Sequence, residues 1–496
     1  MNKAPAPVSG ERKLVDDSVD HCRASFSSLD KLDLALVLAL AAVAASILLP
    51  GLGRESLANW DEAIYGVLAR NLLSRPGLTL YYAGQPWFEK PPFLIWLMAA
   101  SSSLFGLTEF ALRLPSALFG ISAIALQYLA GRQLAGRLAG VAAAIFLLGV
   151  PQFVAYSRLA MMDVPLMTLG MMSFVLLLYG ERKRWATVLA GIPFGLAILT
   201  KSAAAFLFFP GLLALALALH GFAFFRCREA ILAAALALVI SLPWHIWAAL
   251  TYGRSFLGPY FFFHVLRRFA QPLEGHEEGF FYYFDLYPHS AGWLALVHAA
   301  GIALIGAMAI RQRNSRLAAV VTLPIGAFLI VNLQGTKIGW YLTPVYPGAA
   351  LAAALALVNL LGDFRARVMA ILLGSLLAVP GIADGRGNFV DAYDIIVFSP
   401  EVRSLRNTPV FVKRVPLLYT FDVADPAPRF YLADHVETID QQGLERLVAE
   451  REPFLCLTFK SQAREFLNNH TQANLKIIAS TEFLAVIGNR SGDLRN

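Results

Sequence analysis

The sequence predicts an α-helical polytopic membrane protein of about 11–13 spanning helices, followed by a small C-terminal α/β domain outside the lipid. Three observations carry this. The 496 residues are 57% hydrophobic and 15% charged, with a mean hydropathy of +0.58, whereas a soluble domain carries about 25% charged residues. Long apolar segments recur down the chain, separated by short basic connectors. From residue 384 onward the composition changes: the last 113 residues hold 28 of the 75 charged residues.

Residues 1–32 are polar and mixed in charge, with no small-residue cleavage site before the first apolar run, and read as a cytoplasmic tail rather than a cleaved signal. The membrane domain, 33–383, offers spans near 33–50, 111–131, 138–156, 164–180, 186–200, 202–222, 230–250, 291–310, 317–333, 341–361 and 368–383. Five connectors (132–137, 182–184, 226–228, 311–316 and 365–367) hold twelve Lys or Arg, which the positive-inside rule places in the cytoplasm. Segment 91–107 would break that alternation as a full span, so it reads as interfacial or re-entrant. Odd parity then places residues 384–496 outside. There, apolar runs 415–421 and 453–459 alternate with helix-like stretches near 441–450 and 461–468. The net charge of +7 is dispersed singly or in pairs, without a basic run and interleaved aromatics, which speaks against nucleic acid. Cys22, Cys227 and Cys456 are far apart and form no metal or disulfide pattern.

The candidate chemistry lies on the outer face. In the loop 59-NWDEAIYGVLARNLLSRPGLTLYYAGQPWFEKPP-92, Asp61 and Glu62 open an amphipathic helix. Acids there can merely complement the helix dipole, but Asp61 sits just past the end of a span beside Trp60. Glu89 and Lys90 stand where the chain re-enters the lipid boundary, before a double proline. A charge there needs a partner or a ligand, and a Lys facing the headgroup layer can hold a lipid phosphate; snorkelling with Glu as its partner is the plainer alternative. Arg158 and Asp163 in YSRLAMMDVP, Lys201 in LTKS, His264 and Arg268 in PYFFFHVLRRF, and Lys337 in GTKIGWYLTPVYP mark other outward ends. A lone His among phenylalanines reads more readily as a packed residue than as a ligand. No HExxH or paired CxxC metal motif is present, and no Gly-rich phosphate loop supports a nucleotide cofactor or nucleotide-sugar donor. Carboxylates, cations at headgroup depth and an aromatic loop on one face are the parts that glycosyl transfer from a lipid phosphate requires.

The segments DEAIYGVLARNLL, FEKPPFLIWLMAASSSLFG and TEFALRLPSAL, with SRLAMMDVPL, LTKS and KIGWYLTPVYPGAAL following in order, resemble the GT-C membrane glycosyltransferases. The similarity covers roughly residues 55–355 and points to the branch of ArnT-like and protein-mannosyltransferase-like enzymes. It implies an inverting transferase that takes a sugar from a polyprenyl-phosphate donor and acts on the periplasmic face of a bacterial inner membrane. The acceptor would be a lipid A-type or other cell-envelope glycan. In that resemblance Asp61 and Asp163 match the acidic catalytic positions, with Glu62 beside Asp61. Lys90 matches the lipid-phosphate Lys, Arg268 and Lys337 are further phosphate contacts, and Glu89 with His264 matches a zinc-binding pair. Ile64 departs from the pattern, standing where many relatives carry Arg or another polar residue. The sugar and acceptor are left open. A flippase of lipid-linked saccharides is the alternative from another class, although no internal repeat accompanies it, and an O-antigen-ligase-type transferase is the other.

Overall fold

In the computed structural model, residues 29–58, 60–387, 399–450, 453–471 and 473–489 are described; the tail expected over 1–32 falls almost entirely outside them. Among the described residues nine helices are long and apolar enough to cross a membrane, and the bent pair Arg137–Leu148 and Pro151–Ser157 makes a tenth. One of the nine, Arg184–Arg226, is 43 residues long, about twice what a bilayer needs. It reverses at Ser202, whose φ is +52°.

Packing shows the reversal. Gly191 lies against Ala233 and Gly195 against Ala237, so the stretch up to Lys201 runs parallel to Arg228–Tyr252. Two parallel helices that follow one another need a return leg, and residues 202–226 supply it as the eleventh span. Small residues make such close approaches possible where helices pack in lipid. Gly131 against Ala139 and Gly140 against Tyr128 do the same for the hairpin joining Glu109–Ala135 to Arg137–Leu148.

Phe93–Phe105 is 13 residues long, about 20 Å of helix against about 30 Å of hydrocarbon. It does not span. It packs between Asp61–Ser74 and Glu109–Ala135, agreeing with the interfacial reading of 91–107. The basic connectors gather at one end of the bundle. Buried Asp33, part of a capping box with Asp30, accepts from Tyr128 Oη (2.8 Å), Arg132 Nη2 (2.9 Å) and Arg137 Nε (2.9 Å). At the same end Arg316 pairs with Glu181, and Arg184 lies 3.7 Å from Glu229. A buried carboxylate with this many donors keeps its charge satisfied.

Two short strands, β1 (Tyr81–Tyr82) and β2 (Gln85–Pro86), pair antiparallel. At the end opposite the basic connectors sits a five-stranded sheet of order β4-β3-β5-β7-β6, where β3 is Val415–Thr420, β4 Ala433–Thr438, β5 Leu455–Phe459, β6 Lys476–Ser480 and β7 Leu484–Gly488. β3 runs parallel to β4 and β5, while β7 is antiparallel to β5 and β6. Helices Gln441–Glu450 and Lys460–Asn469 fall on the stretches read as helical. Helix Pro426–Tyr431 docks the domain on the membrane part: Phe430 packs on Gly66, Arg70 donates to the Arg429 carbonyl (2.8 Å), and Tyr82 donates to Asp425 (2.6 Å).

Candidate active site

Helix Asp61–Ser74 enters without a side-chain cap, from Trp60 at φ +62°, a backbone region that strains a bulky residue. Glu62 fixes its position. Its Oε1 accepts from Arg113 Nε (2.8 Å) and the Ala160 amide (2.5 Å); its Oε2 accepts from Arg113 Nη2 and the Ala58 amide, both 2.7 Å. Arg113 also donates to the carbonyls of Leu52, Glu55 and Ser56. With both oxygens saturated and the side chain buried, Glu62 has no lone pair to offer a substrate. This corrects its assignment as a catalytic acid: it ties the Asp61 helix to the turn that leads into Asp163.

Asp163 begins helix Asp163–Gly180 and is 2% exposed. Lys201 Nζ donates to its Oδ1 at 2.6 Å, while Oδ2 is buried with no hydrogen-bond partner among the described residues. Lys201, the last residue of its helix, also lies 5.3 Å over the Tyr341 ring. Asp61 faces this pair across Tyr65. The Tyr65 phenol is held well above the ordinary range, first by burial and then by the charges of Asp61, Asp163 and Glu89. A neutral phenol therefore stands among three carboxylates.

Beside them is a cavity of about 330 Å³ lined by Glu89, Lys90, Lys201, Tyr260, His264, Arg268 and Tyr341, with Phe206, Leu207, Phe269 and Ile330 on its apolar side. Burial raises the Glu89 pKa above the usual carboxylate value; Lys90 opposes this, while Asp61 and Glu274 add to it. His264 lies on a π-helical turn, Gly258–Arg267, a distortion common at functional sites. Burial, then the charges of Lys90 and Arg268, push its pKa down to about 3, so the imidazole is neutral. Arg268 donates from Nη2 to Glu274 (2.5 Å) and weakly from Nη1 to Tyr341 (3.4 Å).

The geometry thus gathers Asp61, Asp163, Lys90, Glu89, His264 and Arg268, and leaves out two of the expected residues, Glu62 and Lys337. Lys337 Nζ donates to the Gln334 carbonyl at 2.8 Å and does not line the cavity. That corrects its placement as a phosphate contact: it satisfies the C-terminal end of helix Ser315–Leu333. Lys201, marked in the sequence only as one of the outward ends, pairs with Asp163 and lines the cavity. Tyr65, Tyr260 and Tyr341 are additions that sequence reasoning missed. Each sits four residues from a residue that it singled out (Asp61, His264 and Lys337), and for Tyr65 that is the spacing of one helix face, which was the available signal.

Glu89 and His264 share the cavity, and His264 Nδ1 is buried with no hydrogen-bond partner among the described residues. A catalytic zinc takes three protein ligands, and among the described residues no group of three His, Cys, Asp or Glu could hold a metal. The donor set among the described residues falls short of a protein-held metal centre.

Residues 89–247 match the family model for dolichyl-phosphate-mannose-protein mannosyltransferase. An undecaprenyl phosphate-α-4-amino-4-deoxy-L-arabinose arabinosyl transferase of Sodalis glossinidius is 30% identical over 59% of this chain and 54% of its own. One from Pseudomonas savastanoi is 28% identical over 67% and 63%, and an uncharacterized Aquifex aeolicus protein 26% over 59% and 58%. The matches therefore span a little over half the length of these curated relatives. Among solved structures, ArnT from Cupriavidus metallidurans bound to undecaprenyl phosphate superposes with a TM-score of 0.74 at 18% identity, covering 92% of this chain and 98% of that one. The Archaeoglobus fulgidus oligosaccharyltransferase gives 0.55 at 15% identity, over 87% and 69%. The chain therefore shares the fold of these two solved structures, and over residues 89–247 it is similar to the dolichyl-phosphate-mannose-protein mannosyltransferase family.

Proposed function

We propose that the protein transfers a sugar, with inversion, from a polyprenyl-phosphate carrier to a lipid A-type or other cell-envelope acceptor on the periplasmic face of a bacterial inner membrane. The observation that carries this reading is the cavity in which Lys90 and Arg268 line one wall while the Lys201–Asp163 pair and Asp61 stand alongside. The carriers named for the relatives in Sodalis and Pseudomonas, and the lipid bound to the Cupriavidus protein, support the same donor class.

Asp61 takes the acceptor hydroxyl proton as that oxygen attacks the anomeric carbon. The bond from anomeric carbon to phosphate oxygen breaks, and its electron pair leaves with the polyprenyl phosphate. Lys90 and Arg268 hold the negative charge that develops there. Lys201 orients Asp163 through its hydrogen bond, and the buried Tyr65 phenol lies close to Asp61 and Asp163. His264, being neutral, can offer a hydrogen bond without competing for the phosphate as a cation.

Comparing lipid A, core saccharide and glycoprotein masses between a deletion strain and its parent tests the reading. Loss of one hexose-, pentose- or uronate-sized increment, restored by the wild type and not by Asp61→Asn, is the expected result. Restoration by Asp61→Asn would remove the base role, and translocation of a lipid-linked saccharide with no glycosyl product at any stage would point to a flippase.

A further inference from the structure

Arg268 is an incompletely used cation. Its backbone is held by the neighbouring segment, through Thr336 N to the Arg268 carbonyl (3.1 Å) and Gly335 N to the Phe269 carbonyl (2.7 Å). Its guanidinium side chain is only 13% exposed and lines the cavity. Of its side-on edge, Nη2 is taken by Glu274 at 2.5 Å, but Nε is buried with no hydrogen-bond partner among the described residues. A buried N–H left unpaired beside a carboxylate is an energetic defect, which a ligand that accepts from Nε and Nη2 together would remove. Two oxygens of a phosphate fit that fork.

The Glu274 side chain is 48% exposed and can swing into solvent. The loop nonetheless returns it to Arg268: Glu274 has φ +58° and Gly275 φ +78°, two successive left-handed residues. The first of these is unfavourable for a residue with a side chain, and such strain persists where the surroundings hold it. Gln271, just upstream, is pinned by Thr336 Oγ1 to its carbonyl (2.8 Å), so the turn at 274–275 is aimed rather than loose.

We infer that Glu274 is a resident competitor for the lipid phosphate: its carboxylate occupies the Nη2 position at Arg268 that the phosphate needs, and leaves for solvent when the phosphate binds. Its presence lowers affinity for the spent carrier as well as for the donor, and so favours turnover over retention. This rests on the reading of the cavity as a lipid-phosphate site.

The test measures binding of undecaprenyl phosphate to the full-length protein in nanodiscs, for wild type, Glu274→Gln, Arg268→Ala, Lys90→Ala and the Glu274→Gln/Arg268→Ala double variant. Glu274→Gln keeps the side-chain shape and removes the charge. It should tighten binding about three- to tenfold, the scale of one partly exposed charge pair. The gain should vanish in the Arg268→Ala background, where nothing is left to compete for. Unchanged or weaker binding by Glu274→Gln, with Arg268→Ala and Lys90→Ala both weakened, would overturn the competitor role and leave the donor reading standing. A gain that survives in the double variant would also overturn it, since it would be general electrostatics. If undecaprenyl phosphate binds neither wild type nor Glu274→Gln, the cavity is not a lipid-phosphate site and both readings fall together.

Discussion

Successive residues on a helix point about 100° apart, and that angle separates Asp61, which faces Tyr65 and the cavity side, from Glu62, which is locked to Arg113. Both acids are plain in the sequence, but which faces the chemistry depends on Arg113, 51 residues away. Lys201 and Lys337 were likewise both visible, and only the fold decides that one, ending a helix, reaches Asp163 and the other, in a connection between helices, a carbonyl. Glu89 gives a prediction at this scale. Its pKa is higher in the folded protein than in the unfolded chain, so the folded state holds the proton more tightly. Stability is greatest below the ordinary carboxylate range and is lost as pH rises through the folded pKa. Glu89→Gln, a mimic of the protonated form, should melt at a higher temperature than wild type at pH 8 and at about the same temperature near pH 4. Equal melting at both pH values would mean that the carboxylate is well solvated.

Among the elements, the spans were largely legible because each is an apolar run bounded by Arg or Lys. The stretch 184–226 holds no charge inside it except Lys201, yet that Lys with Ser202 marks the reversal that apolarity alone conceals. Strands β3 and β5 were visible as apolar runs, while β4, ADHVET, has only two buried positions in six and was missed. Docking of Pro426–Tyr431 was not readable at all, since its partners lie more than 300 residues upstream. Tyr431 is central there: its hydroxyl accepts from the Leu57 amide (2.8 Å) and donates to Glu109 (3.0 Å), which also pairs with Arg403 at 3.0 Å. Tyr431→Phe leaves a buried amide without its acceptor and should destabilise by about 1–3 kcal/mol. A drop in apparent melting temperature, with the far-UV helix signal unchanged, is the expected outcome; no drop would show that water replaces the hydroxyl.

At the scale of the whole molecule, the spans among the described residues put the sheet domain and the cavity at the same end, opposite the basic connectors. In a background without native cysteines, Asp440→Cys should react with an impermeant maleimide in intact spheroplasts, and Arg313→Cys only after lysis. Both positions are exposed, so the reverse labelling would invert the topology. The docking also has a consequence in time. Arg70 and the Arg429 carbonyl that it bonds are 359 residues apart, and at ordinary rates of synthesis that separation takes roughly 20–70 s to emerge. Throughout that interval the helix bearing Asp61 has been made and inserted without the cover against which Phe430 later packs. The ribosome thus sets a delay between building the chemical groups and fixing their positions, and for that interval a half-made chain carries them without the frame that aligns them.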